Sequence, residues 1–553
     1  MELNAIFSSH TKKNQISWSL LQLNRYIDYI ILILLNTFTH FLFIGYFKFV
    51  SDDWPQIVYS DIYIYPLQHL FLESQRPGQF ILTKVVVGVL GITPFGYHIM
   101  NLITTTVLLL LVFLIFKDLL KLFFNNSRPF AFLGAVLFCL LFNKDELYSW
   151  AALFYDNIAF VLYLSSFYFF IKSEKKGYNF YLSWLCYAGA VFIYEIGILL
   201  PVVYFIYSFI YQKDLKKVLF FFIPLMAYML IRITNWFGYG WMYIDRSQNY
   251  LSLEFVSMFF NNYFHNLIGS VGITIISPFY AVLGLGKLNE FFLEVLLIID
   301  LIISLIIIYY FICPQIKHET IEKKNKNFLQ MIFFCLTGIF VAYIPISVHG
   351  IVQPRYLLFI DLFLILLFII LVTPLIAKQK HCVILIIIIS GCLLINQGLY
   401  VNWIVSGEMQ DSVNNALFSQ ADAISTKQYF FINSSDLFRS NPNYIFKITP
   451  GYSIIVNPNS KEVYYPYLNA EGLARWSVTA MMRGAKINES STLLIYGDEG
   501  TIFVEENANS LTYKNTVTDK QYLIDKSDCF EGNSTTLLMD FNNNMKVNWL
   551  FRQ

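Results

Sequence analysis

Charged side chains are scarce in this chain of 553 residues: Asp, Glu, Lys and Arg make up 14%, whereas 57% of the residues are hydrophobic. Soluble domains average about 25% charged and about 45–50% apolar residues. The scarcity excludes an ordinary soluble protein and predicts an integral protein of a plasma or inner membrane. The formal net charge is only +1, so the charge balance gives no indication of nucleic acid, and we predict no nucleic-acid partner.

Cysteine is also sparse, and its placement excludes two further classes of protein. Six of the seven cysteines lie in or beside apolar runs, and only Cys529 lies in the polar tail. The pattern predicts no disulfide framework, and Cys and His form no cluster with metal-ligand spacing. The chain is polar up to about Tyr26, which is not typical of a cleaved signal peptide.

Long apolar runs are what the chain has in abundance, and a spanning helix needs about 20 mostly apolar residues. Hydropathy predicts a mainly α, polytopic helical bundle with about eleven spans in a domain covering residues 1–403. The predicted spans are 29–50, 97–116, 129–142, 150–171, 181–194, 196–211, 218–231, 291–312, 328–348, 356–376 and 382–403.

Lys and Arg concentrate in alternate loops, which predicts the orientation because basic loops stay in the cytoplasm. The basic loops include Lys117 and Lys172, whereas Asp52, Glu146 and Glu195 lie in the loops between them. The acidic loops are therefore expected outside. A single crossing by residues 251–286 would place the following basic loop outside, against this alternation. We therefore predict an interfacial or re-entrant segment there.

The character of the chain changes after Trp403. Short alternating runs such as QYFFIN, SIIV, EVYYP, TLLIY, TIFVE, SLTYK and TTLLMD are separated by Asn, Gly, Ser and Pro, which is typical of strands and turns. We predict a second, extracytoplasmic α+β domain over residues 404–553, with amphipathic helices at 408–423 and 470–482.

Two adjacent carboxylates, Asp52 and Asp53, follow the first span and precede Trp54. A pair of like charges at membrane depth is costly and marks a functional site unless the loop is simply hydrated. One of them is predicted to be a general base that takes a proton from an acceptor hydroxyl. The other could hold a divalent cation such as Mg²⁺ or Mn²⁺, and the sequence does not choose between these roles.

Further polar residues are expected on the same outer side. Arg76 and Arg355 each lie beside a proline; arginine binds phosphate bidentately, although either could be a cation that reaches the interface. Glu195 interrupts an apolar stretch, and Asp156 belongs to an acidic group with Asp145, Glu146 and Trp150. His98 is polar on an apolar helix, where interhelical hydrogen bonding is the commoner role.

Four motifs occur in order: FVSDDWPQI, RPGQFILTKVVVGVLGITPFGYHIMNL, KDELYSWAALFYDNIAF and YEIGILLP. Together they resemble the membrane half of the tetratricopeptide-containing O-mannosyltransferases and their bacterial relatives in the GT-C superfamily. The resemblance covers residues 49–201. The chain departs from the family pattern in having Phe-Tyr in ALFYDN in place of an arginine, Tyr194-Glu195 in place of Lys-Glu, and no tetratricopeptide repeats.

The resemblance implies a GT-C-like fold and an inverting glycosyltransferase that uses a polyprenyl-phosphate-linked sugar and a glycan, lipid or protein acceptor. It implies Asp52 or Asp53 as the base and places Arg76 near the lipid phosphate. We further predict substrate contacts from Trp54, His98, Asp156, Glu195 and Arg355. A lipid-linked sugar transporter or flippase is an alternative, although transporters usually bury charges at the midplane and show repeats. An O-antigen polymerase or ligase is another.

Overall fold

The computed structural model describes residues 26–48, 57, 76–91, 93–124, 126–173, 177–212, 215–238, 253–286, 288–308, 325–349, 354–376 and 382–419, together with strands between residues 429 and 538. The α-helices in these ranges are α1 (Tyr26–Tyr46, including a final 3₁₀ turn), α2 (Pro77–Leu90), α3 (Pro94–Leu120), α4 (Arg128–Leu140), α5 (Asp145–Ser149), α6 (Phe154–Lys172), α7 (Gly177–Ile193), α8 (Leu200–Tyr207), α9 (Leu215–Leu219), α10 (Phe222–Gly238), α11 (Leu253–Leu285), α12 (Glu290–Ile306), α13 (Asn325–His349), α14 (Leu358–Ile376) and α15 (Cys382–Ser419).

Six helices among the described residues are long and apolar enough to cross a membrane: Tyr26–Tyr46, Pro94–Leu120, Ala151–Lys172, Phe259–Leu285, Phe328–Ser347 and Val383–Ile404. The chain is therefore a helical integral membrane protein. Every predicted span overlaps a helix, but several of these helices are short, so the number eleven stays a prediction.

Helix α2 follows the loop that carries the predicted base, and hydropathy missed it as a separate element. It begins at Pro77, whose fixed φ suits the first helical position. It ends at Gly91, which has φ of 64°, a backbone conformation that glycine adopts without steric cost. The hydroxyl of Tyr97 on α3 donates to the Gly91 carbonyl at 2.9 Å. The two helices are thus joined by a tight, fixed turn.

Helices α3 and α6 connect two ends of the bundle at which charged residues lie. From His98 to Asp118 the axis of α3 rises about 30 Å. Asp118 accepts a hydrogen bond from Lys172 at 2.6 Å, and Asn101, one turn after His98, donates to the Trp150 carbonyl at 3.0 Å. We call the end that carries Asp145, Glu146, Asp156 and Glu195 the acidic end.

Helix α11 occupies the stretch predicted to be interfacial or re-entrant. It is one continuous helix of 33 residues, so a segment that enters and turns back is wrong for residues 253–285. Asn262 and Asn266 donate to carbonyls at the C-terminal end of α13, while Ala281 packs with Phe142 and Leu399 at the acidic end. Its length fits a span, but contacts near both ends favour a path across the acidic end.

Helix α15 continues past the predicted domain boundary at residues 403–404 and ends at Ser419. It therefore includes most of the first amphipathic helix predicted for the tail; the second, 470–482, lies outside the described residues.

Strands are found in six of the seven runs predicted to form them, and the seventh, TLLIY, lies outside the described residues. The strands are β1 (Tyr429–Asn433), β2 (Phe438–Asn441), β3 (Tyr444–Phe446), β4 (Ile455–Val456), β5 (Val463–Tyr464), β6 (Thr501–Glu506), β7 (Ser510–Asn515), β8 (Gln521–Asp525) and β9 (Ser534–Leu538).

The strands pair locally, with one exception. β6, β7 and β8 form an antiparallel meander, and β2–β3 and β4–β5 are antiparallel pairs. β1 pairs in parallel with β9, with Tyr429 opposite Ser534. The first and last described strands of the tail are thus neighbours.

Candidate active site

Arg76 and Glu195 form a tight ion pair at the acidic end. Nε and Nη2 of Arg76 donate to the two carboxylate oxygens of Glu195 at 2.7 and 2.8 Å. This side-by-side geometry is the strongest arginine–carboxylate arrangement. The guanidinium also lies over the ring of Tyr194, 4.5 Å from its centroid. Burial opposes its charge, but Glu195 raises the pKa of the Arg76 guanidinium above its ordinary value.

The backbone around this pair is fixed by close packing. A Cβ on Gly78, in the first turn of α2, would lie 2.8 Å from the carbonyl oxygen of Phe192, so only glycine lets α2 approach the end of α7. On the other side, the hydroxyl of Tyr163 donates to the Tyr194 carbonyl at 2.7 Å. That of Tyr187 donates to the Ile198 carbonyl at 2.7 Å. The turn that carries Glu195 is therefore held from two helices.

Arg355 forms a second, looser centre with two carboxylates. Its Nη1 is 3.5 Å from Glu146 Oε2, and its Nε is 3.8 Å from Asp156 Oδ2. Both distances are at or beyond the limit of a hydrogen bond. The guanidinium lies 5.1 Å from the ring centroid of Trp150 and 5.2 Å from that of Tyr356. Arg355 is thus surrounded by acids and aromatic rings without a short bond to the carboxylates.

Unsatisfied polar atoms mark this second centre. Among the described residues, Arg355 Nε, Asp156 Oδ1 and Ser149 Oγ are buried without a hydrogen-bond partner. A buried polar atom without a partner costs about 1–3 kcal/mol, and such atoms in a native protein suggest a bound molecule. Burial raises the pKa of the Glu146 carboxyl to about 8, although Arg355 lowers it, so Glu146 is largely protonated at neutral pH.

The two arginine centres are neighbours. The rings of Tyr194 and Tyr356 lie 6.4 Å apart between them, and Asp156 lies within electrostatic range of both arginines. The structure therefore brings together Arg76, Glu195, Asp156 and Arg355, which the sequence analysis assigned to substrate binding. Their roles stay predictions. Asp52, Asp53 and Trp54 lie outside the described residues.

His98 is fully buried, but none of the contacts found among the described residues joins it to either arginine. Its ring packs on Phe47 with centroids 5.1 Å apart. It lies beside the segment of residues 142–150, which contains α5. Asn101 and Asn157 hold that segment: Asn157 donates to the Leu147 carbonyl at 2.7 Å and to Asn101 at 3.1 Å. Both ring nitrogens of His98 are buried without a hydrogen-bond partner among the described residues, so its assignment to substrate binding stays a prediction.

Several residues of the site were missed from the sequence. Asp145, noted only as part of an acidic group, accepts a hydrogen bond from Trp403 Nε1 at 2.7 Å. Asp361 bonds Lys144 and Asn143 at 3.3 and 3.1 Å. Asp361 stands inside the apolar run LLFIDLFLILL, so the rule that an ionisable residue within a span is functional could have found it. Lys144 lies outside the predicted spans, so this rule could not have found it.

The described carboxylates of the acidic end do not form a recognisable metal site. Among the residues that the structure describes, no group of three or more His, Cys, Asp or Glu is arranged to hold one. Glu195 is bonded to Arg76, and Glu146 and Asp156 face Arg355. That Asp52 or Asp53 holds a divalent cation stays a prediction, since both lie outside the described residues.

No protein-family model matches this chain, and no curated protein matches it. Among solved structures, one to which it is similar is the crystal structure of ArnT from Cupriavidus metallidurans bound to undecaprenyl phosphate. The identity is 12%, the TM-score is 0.34, and the alignment covers 87% of this chain and 90% of that chain. A TM-score this low does not establish a shared fold, so no inference about this chain rests on the likeness.

Proposed function

We propose that this chain is a membrane glycosyltransferase of GT-C type that moves a sugar from a polyprenyl-phosphate donor to an acceptor hydroxyl outside the cytoplasm. One observation carries the proposal. Arg76, Glu146, Asp156, Glu195 and Arg355, which are far apart in sequence, converge at the acidic end. Arg76 also lies on the C-terminal side of Asp52 and Asp53 in the chain. The ordered motifs that resemble O-mannosyltransferases support the same reaction class.

The reaction needs one base and one stabilising cation. Asp52 or Asp53 takes the proton from the acceptor hydroxyl, and the acceptor oxygen attacks the anomeric carbon of the donor. The bond from that carbon to the phosphate oxygen breaks, and polyprenyl phosphate leaves with the electron pair from the opposite face, so the configuration inverts. A fixed positive charge beside the leaving phosphate stabilises the transition state.

Arg355 is better suited than Arg76 to supply that charge. Nε and Nη2 of Arg76 are already bonded to Glu195, so binding a phosphate through that edge would break a bidentate pair. The guanidinium of Arg355 lies 3.5 Å from Glu146 and 3.8 Å from Asp156. A phosphate could therefore approach it without displacing a strong partner. In this proposal Glu195 orients Arg76, and Asp156 contacts the sugar.

The strand-rich tail is proposed to select the acceptor on the extracytoplasmic side. Because α15 continues to Ser419, a truncation that tests this should end after Ser419 rather than within the helix. The truncated protein should keep slow hydrolysis of the lipid donor while losing transfer. Hydrolysis of a donor by the isolated tail would contradict the assignment.

The experiment that tests the function is transfer from a panel of radiolabelled polyprenyl-phosphate sugars, in membranes from cells with and without the protein. Asp52→Asn should abolish transfer, because loss of a positioned base costs about 10²–10⁴-fold. Asp53→Asn should have less effect unless it holds a metal, in which case added Mg²⁺ or Mn²⁺ should partly restore it. Wild-type rates in both variants would remove the proposed mechanism.

A further inference from the structure

Two contacts between a basic and an acidic side chain join residues 142–150 to residues 354–361 in opposite senses. Lys144 Nζ lies 3.3 Å from Asp361 Oδ2, and Arg355 Nη1 lies 3.5 Å from Glu146 Oε2. The first segment supplies the basic group to one contact and the acidic group to the other. Exchanging the partners would place the cations Lys144 and Arg355 together, so the two contacts specify one register between the segments.

The inner pair, Lys144 with Asp361, is unusually deep. The Lys144 side chain is 0% exposed and that of Asp361 is 8% exposed. Asn143 donates to the second oxygen of Asp361 at 3.1 Å, and the ammonium lies 4.2 Å from the ring centroid of Phe138. Burial lowers the pKa of Lys144, and Asp361 opposes that effect.

Stability alone does not account for such a pair. Burying two charges costs about as much as their attraction returns, and apolar residues of similar volume often serve as well. What a buried pair supplies is a defined geometry. Here that geometry includes Arg355, because Asp361 lies in the first turn of α14 and Arg355 lies in the 3₁₀ turn just before it.

We propose that Lys144 and Asp361 are positioning residues: their contact fixes the 354–361 segment so that Arg355 stands between Glu146 and Asp156. Neither residue contacts substrate. The inference rests on the proposed function, in which Arg355 stabilises the leaving phosphate. It adds an ion pair, Lys144 with Asp361, that is separate from the residues assigned to the reaction.

The test is the double variant Lys144→Met/Asp361→Asn, which removes both charges and keeps similar side-chain sizes. We expect the folded protein to keep an unfolding temperature near that of the wild type. Transfer should nevertheless fall between about 10- and 100-fold, since a misplacement of 1 Å at a site can cost 10²-fold. In an Arg355→Gln background, the same double change should lower transfer by less than about twofold, because residues that act as a unit are non-additive.

The matched control is Lys172→Met/Asp118→Asn, which removes an ion pair of 2.6 Å between α3 and α6 at the opposite end. It should leave transfer unchanged. Full activity in the Lys144→Met/Asp361→Asn variant would overturn the proposal, as would an equal loss with and without Arg355.

A stability cycle separates this proposal from the assigned reaction. Asp361→Asn alone should lower the unfolding temperature by leaving Lys144 unpaired, and adding Lys144→Met should restore it. Additive losses would show that the two residues are not coupled and would refute the positioning pair. If the wild type transfers no sugar while the cycle shows coupling, the proposed function fails and the pair stands.

Discussion

The two arginines at the acidic end differ in how they are held. Arg76 makes two short bonds to a single carboxylate, and its helix is packed against α7 without room for a Cβ at position 78. Arg355 faces two carboxylates, Glu146 and Asp156, at 3.5 and 3.8 Å. The Arg76 guanidinium thus has two short hydrogen bonds to one carboxylate, whereas the Arg355 guanidinium has only long contacts with two carboxyl groups.

In the proposed function, this difference makes Arg76 a structural cation and leaves Arg355 to bind the donor phosphate. A bidentate pair that is mostly buried is costly to break, because the carboxylate left behind is unpaired. A guanidinium between two acids keeps its charge and its hydrogen-bonding capacity for a third anion. The local geometry thus reverses the weight that sequence alone gave to the two residues, since Arg76 had been the stronger candidate for phosphate.

In the comparison of the two arginines, the largest expected effect is that of substituting Arg355. Arg355→Gln should lower transfer by about 10²-fold, because loss of one preorganised electrostatic contact costs about 10²–10³ in rate. Arg355→Lys should recover only part of it, since an ammonium lacks the planar fork. The measurement is kcat and KM for the lipid donor, with the unfolding temperature as a check on folding.

The Arg76 pair supplies the comparison. Arg76→Gln/Glu195→Gln replaces both partners by neutral groups and should lower transfer less than about tenfold, since neither charge is left unpaired. An effect as large as that of Arg355→Gln would break the distinction between the two centres and return the phosphate to Arg76.

Some of this site could be predicted from sequence because charges in an apolar chain are conspicuous. Arg76, Asp156, Glu195 and Arg355 each stand out against hydrophobic neighbours, and the alternation of basic loops predicts that they share a side. Composition also predicted the helical bundle and the strand-rich tail. These inferences need only the cost of placing charge in a membrane.

What could not be predicted was which charge pairs with which. The partner of Glu195 is 119 residues away and that of Asp361 is 217 residues away, and no periodicity encodes such pairings. The continuity of α11 was also missed, because the prediction for residues 251–286 came only from the alternation of basic loops. In the structure Asn262, Asn266 and Ser270 of α11 form hydrogen bonds with α13.

A smaller effect is expected from the packing that fixes Arg76. Gly78→Ala would place a Cβ 2.8 Å from a backbone oxygen, so α2 must move away from α7 at a cost of about 1–3 kcal/mol in stability. Gly88→Ala is the control on the same helix, where a Cβ has no neighbour within 4 Å. It should be neutral or slightly stabilising. Equal unfolding temperatures for the two variants would mean that this contact does not hold α2.

The smallest expected effect is the pH dependence that arises from ionisation of Glu146 beside Arg355. Burial raises the pKa of Glu146 above its ordinary value of 4.5, Arg355 opposes this effect, Asp145 and Asp156 add to it, and the resulting pKa is about 8. The folded protein therefore binds this proton more tightly than the unfolded chain does. Stability from this group is present below pH 4.5 and is lost as the pH rises from 4.5 to about 8.

Ionisation of Glu146 should also change substrate binding. Above pH 8 the new carboxylate attracts Arg355 more strongly, by about 1 kcal/mol relative to a neutral partner, which corresponds to about fivefold in affinity. The KM for the lipid donor should rise by about that factor between pH 7 and pH 9 while kcat changes less. Glu146→Gln cannot ionise, so its KM should stay flat over the same range. A rise of equal size in both proteins would assign the effect to another ionisable group.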